Sequence, residues 1–72
     1  MSQFNHEQFR ARLKESLKSS GMSLEEAANK ACIAPNMLRR YIEGQALPCL
    51  GNLRKICATL HVRADYLLGV SI

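Results

Sequence analysis

Seventy-two residues, 47% of them apolar and 22% charged, are enough for one domain over 1–72 and too apolar for a disordered tail. A formal charge of +4 makes a polyanion a natural partner, while the opening residues MSQFNHEQF lack the charged and apolar sections of a signal peptide. With no apolar run of 18 residues, a membrane span is not expected and a cytoplasmic location is. Three cysteines, Cys32, Cys49 and Cys57, are odd in number and form no C-x-x-C pair, which suits a reduced compartment and three small buried or half-buried thiols. His6 and His61 share no ligand spacing with them, so neither a metal nor another cofactor is expected.

In chain order, Phe9, Leu13 and Leu17 recur every four residues with charged side chains between them, the pattern of an amphipathic helix. Asn5 can cap its start, and Gly21 suits a left-handed residue just past an end near Ser20. Ser23-Leu24-Glu25-Glu26 reads as a capping box opening a second helix, whose Ala27, Ala28 and Ala31 allow close approach of a neighbour. Pro35 opens a third helix, because its missing amide would have been unpaired there. Leu38, Tyr41 and Ile42 take one face of it, Asn36, Arg39, Arg40 and Glu43 the other, and Gly44 stops it.

Residues 45–48 form a loop. Leu50, Leu53, Ile56, Cys57 and Leu60 give a fourth helical stripe, and after His61-Val62 a short fifth helix carries Asp65 in its first turn and ends at Leu68-Gly69. Five helices and no strand signal make the chain all-α.

From Phe9 to Gly69 the chain resembles the phage-repressor and Cro class of helix-turn-helix proteins, the XRE family. The resemblance rests on four runs in order and at family spacing: Gly21-Met22-Ser23-x-x-Glu26-x-Ala28, Ile33 to Gly44, Leu47-Pro48-x-Leu50-x-x-Leu53-x-x-Ile56, and Leu60 to Gly69, which differs mainly at His61 and Arg63. It implies a compact five-helix, lambda-repressor-like helix-turn-helix domain, with the motif over about 23–44 and the third helix in the major groove of double-stranded DNA. The positions that usually read bases fall on Pro35, Asn36 and Arg40, with Arg39 beside them. The full implied contact set is Ser23, Leu24, Pro35, Asn36, Arg39, Arg40, Glu43 and Gln45.

The chemistry of these side chains agrees with that placement. An arginine fork meets both major-groove acceptors of guanine, asparagine pairs similarly with adenine, and proline offers only an apolar surface, for instance to a thymine methyl. Arg39 suits either a base or a phosphate. The bland alternatives are a solvated helix face for the arginines and a local backbone contact for Asn36.

Several family features are replaced. Leu24 stands where a phosphate-touching glutamine is common, Cys32 where the turn has glycine, Ala34 where a serine or threonine caps the third helix, and Gln45-Ala46-Leu47 where the loop often carries a cation. Fewer phosphate contacts mean weaker binding with a shallower salt dependence, about −0.9 in slope per contact. Leu24 either packs beneath the first helix or lies exposed and offers an apolar contact to a partner or to a thymine methyl. An arginine and a glutamate commonly link the family's first and third helices; Leu17 and Ile42 stand in both places, an apolar replacement that removes two desolvation penalties.

The expected function is therefore a sequence-specific DNA-binding regulator, a repressor of the phage or plasmid-control type acting as a homodimer on two half-sites about 34 Å apart. Leu67, Leu68, Val70 and Ile72 either fold back on the core or supply the dimer interface, with the second favoured. The alternative is a protein-interaction module, such as an antitoxin-like partner-binding protein, that keeps the fold with weakened DNA contacts. No glycine-rich phosphate loop, metal-ligand set or nucleophile with a spaced base is present, so an enzyme is not expected.

Overall fold

Residues 4–69 are described by a computed structural model. Asn5 opens the first helix, α1 (His6–Ser20), its side-chain oxygen accepting from the Gln8 amide at 2.9 Å. Gly21, left-handed at φ 75°, closes it. In α2 (Leu24–Lys30) both halves of the expected capping box form: the Ser23 hydroxyl accepts from the Glu26 amide and the Glu26 carboxylate from the Ser23 amide, each at 3.1 Å. Pro35 is the first residue of α3 (Pro35–Ile42), as its ring and missing amide require. Two further helices follow, α4 (Leu50–Leu60) and α5 (Ala64–Leu68), and there is no strand among the described residues.

All five helices feed one core. Phe9 and Leu13 of α1, Ala27 and Ala28 of α2, Leu38 and Tyr41 of α3, Leu53, Ile56 and Leu60 of α4 and Leu67 of α5 are buried, with Leu13, Ala28 and Leu67 fully so. Each fully buried leucine contributes about 1.5–3 kcal/mol by area, which a small domain cannot spare. The alanines of α2 hold that helix close to α3 and α4.

Leu17 and Ile42 are half-buried against the core, in keeping with their apolar replacement of charge. α1 reaches the far ends of the fold through polar side chains. Arg12 donates to the Tyr66 carbonyl while its guanidinium lies 4.8 Å from the Tyr66 ring centre, tying α1 to α5.

Three expectations are corrected. Leu50 does not join the buried stripe of α4: it is 84% exposed, because the first position of the helix points away from the face set by Leu53, Ile56 and Leu60. Cys32 and Cys49 are exposed and not buried, Cys32 in a left-handed turn and Cys49 as the N-cap of α4, where its sulfur accepts from the Asn52 amide at 3.5 Å. Leu67 is fully buried, so it folds back and supplies no interface; Leu68 is half-buried against the core, and Val70 and Ile72 lie outside the described residues.

Candidate nucleic-acid interface

The outward face of α3 follows from its inward one. With Leu38 and Tyr41 buried and Met37 and Ile42 half-buried, positions 36, 39, 40 and 43, related by steps of three and four, must share the opposite side. Asn36, Arg39, Arg40 and Glu43 are all exposed there. Arg39 donates from Nη1 to the Asn36 side-chain oxygen at 3.2 Å, so these two side chains are joined in advance. The bond leaves the Asn36 amide nitrogen and the second lone pair of its oxygen available. Ala34, at the N-cap, supplies no side-chain acceptor, and Asn36 does not cap the helix either.

Both arginines lie in the last turn of α3, where a cation also complements the helix dipole. Among the described residues the ion pair within 4.0 Å is Arg63–Asp65, so Arg39 and Arg40 are not neutralised by a neighbouring carboxylate, not even by Glu43 on their own helix. Their charge is therefore directed to solvent.

The remaining expected contact residues surround this face unevenly. Pro35 is half-buried at the start of α3, and Gln45 is exposed one residue past Gly44, its amide donating to the Arg40 carbonyl at 2.8 Å. Ser23 is exposed, and its hydroxyl, though accepting from Glu26, keeps its own proton to donate. The hydrogen bond donated by the Ser23 amide, with the Ser23 side chain adding to it, holds the Glu26 carboxyl below its ordinary value of 4.5. Leu24 is half-buried against the core, which favours its packing alternative over an open apolar contact.

Two positioning groups carry no mark in the sequence pattern. Arg10 reaches from α1 to donate from Nη1 to the Glu43 carbonyl at 3.3 Å, occupying an orphan acceptor at the end of α3. On the other side of α3, the buried Tyr41 hydroxyl accepts from the Asn52 side-chain amide at 2.9 Å and so fixes the helix to the start of α4. The asparagine could have been suspected only as a polar residue beside the apolar stripe.

A short helix bounded by two turns, packed on a second short capped helix and presenting Asn36, Arg39 and Arg40 outward, has the form of a recognition helix on its support. A protein-family model described as helix-turn-helix matches residues 13–67. The chain belongs to the helix-turn-helix family. Within it the chain is of the Cro/XRE kind, a class of DNA-binding regulators. No curated protein and no solved structure matches it. In this helix-turn-helix chain no described helix is long and apolar enough to cross a membrane, and no described group of three His, Cys, Asp or Glu side chains converges as metal ligands would.

Proposed function

We propose that the protein is a sequence-specific transcriptional repressor of the phage or plasmid-control type, acting in a bacterial cytoplasm as a homodimer on DNA. In this reading α3 enters the major groove, Arg40 reads a guanine with its fork, and Asn36 reads an adenine while Arg39 braces its oxygen. Pro35 offers its ring to a thymine methyl, Glu43 accepts from a cytosine amine, and Ser23 and Gln45 donate to the backbone on either side. The exposed, unpaired Arg40 on the outer face of α3 supports the reading most directly.

Selection of bound duplexes from a random pool near physiological salt, repeated with Arg40→Ala, tests it. The expected result is a two-fold symmetric motif that relaxes at one base pair per half-site in the variant, at a cost of about 1–3 kcal/mol. A uniform loss with unchanged preference would reduce Arg40 to non-specific attraction.

One observation favours a second reading, an interaction module with weakened DNA contacts. Leu24 is committed to the core and residues 45–47 carry no cation, so two customary sources of phosphate contact are missing. No recovered motif, with weak binding that salt abolishes, would shift the weight to that reading.

A further inference from the structure

Two neighbouring features between α3 and α5 fit each other. Leu50 projects from the first position of α4 with 84% of its surface exposed, beside Leu47 at 49%. Next to them lies an open apolar groove of about 210 Å³ lined by Phe4, Phe9, Leu47, Pro48, Leu53 and Leu68. We propose that this face docks a second copy of the chain, the Leu50 of each copy entering the groove of the other.

The occupant follows from three observations. A single chain carries both an apolar projection and an apolar recess side by side, which is what an isologous two-fold contact needs, since each surface must complement itself. Two chains of charge +4 repel, yet residues 44–53 contain no Asp, Glu, Lys or Arg, so this stretch can meet its own copy without like charges opposed. The third is placement. The loop leaves directly from the end of α3 and leads into α4 at Leu50, so a contact made here would set the spacing of the two α3 helices on the DNA. The missing loop cations then reflect a protein contact beside the DNA, not a decayed DNA contact.

The inference rests on the dimeric reading above and places its interface.

Sedimentation equilibrium over a wide concentration range, free and on a symmetric duplex, tests it with Leu50→Glu and, as the same charge change on an exposed site of α1, Ser19→Glu. The wild type and Ser19→Glu should associate alike. Leu50→Glu should weaken association by about tenfold or more while melting like the wild type, because each carboxylate would have to enter the apolar groove of the other copy without a partner. The exposed Cys49, next to Leu50, gives a second readout: a short bismaleimide should link two copies through Cys49, and Cys49→Ser but not Cys32→Ser should abolish the link. Equal association of Leu50→Glu and wild type, linkage through Cys32, or a single copy bound per symmetric duplex would overturn the proposal. A Leu50-dependent dimer that binds no DNA would sink the repressor reading and leave this interface standing; a monomeric Leu50→Glu chain that still binds one half-site would leave both standing.

Discussion

The turns that enter and leave α3 share one backbone geometry and fill it with different residues. At the entrance Cys32 is left-handed at φ 57° and the next amide, Ile33, donates back to the Ala28 carbonyl at 2.9 Å. At the exit Gly44 is left-handed at φ 80° and the next amide, Gln45, donates back to the Arg40 carbonyl at 2.8 Å. Both are helix-ending motifs in which one residue of positive φ turns the chain. The difference lies in the residue that follows: Ile33 is buried in the core, whereas Gln45 is exposed. A buried anchor can hold a side-chain-bearing residue in a disfavoured conformation, and an unanchored turn needs glycine. The end of α4 repeats the first solution, with His61 at φ 57° followed by Val62, half-buried and bonded back to Cys57 at 3.1 Å.

Removing the anchor should do the most damage. Ile33→Ala leaves a cavity at a position only 7% exposed and removes the anchor that holds Cys32 left-handed, so a loss of about 2–4 kcal/mol is expected by chemical denaturation. Gly44→Ala comes next. The αL penalty is roughly 1–2 kcal/mol, and an added Cβ would meet Arg10 Cδ at 3.1 Å, displacing the side chain that caps α3. In a domain of this size each kcal/mol lowers the melting temperature by about 4–8 °C. If Gly44→Ala were silent while Ile33→Ala kept its effect, the exit turn would owe nothing to glycine.

The start of α2 offers a smaller and pH-dependent test. Ser23→Ala removes one half of the capping box and should cost roughly 1 kcal/mol at neutral pH. Because the folded state holds Glu26 below its ordinary 4.5, the unfolded chain binds the proton more readily, and the carboxylate's contribution is fully present above 4.5 and lost as pH falls through the lower, folded value. The melting-temperature gap between wild type and Glu26→Gln should therefore narrow as pH falls below 4.5, whereas the deficit of Ser23→Ala, which rests on a hydroxyl accepting from an uncharged amide, should persist. A Glu26→Gln gap of constant size down to pH 3 would remove the carboxylate from the explanation.

Local chemistry made most of this architecture readable. Asn5, Gly21, the Ser23–Glu26 box and Pro35 each act within four residues, so their meaning survives in the sequence, and the helix boundaries follow from them. The outward arginines were readable for the same reason, since helical periodicity sorts them from Leu38 and Tyr41. Arg10 and Arg12 were not. They act on carbonyls 33 and 54 residues away, and a long side chain on a polar face leaves no periodic trace of its target. Leu50 was misread because an apolar residue at the first helical position keeps the period without sharing the face, and Cys49 because a thiol is a rare cap. The contact between Asn36 and Arg39 lies between these cases: its spacing is helical, but the choice of partner over solvent is structural.

The smallest effect should have the opposite sign. Cys32→Gly relieves a positive φ that cysteine rarely adopts, worth about 1 kcal/mol, and gives part of this back through the greater freedom of glycine in the unfolded chain, about 0.4–1 kcal/mol. Cys32 is exposed, so little packing is lost, and a net gain of a few tenths of a kcal/mol is expected. His61→Gly should gain less, because histidine is among the residues that tolerate this region. Differential scanning calorimetry of both variants in one buffer would rank them. If Cys32→Gly destabilised the protein more than His61→Gly, the buried anchor at Ile33 would be holding the turn without strain, and the contrast with Gly44 would have to come from the crowding by Arg10 alone.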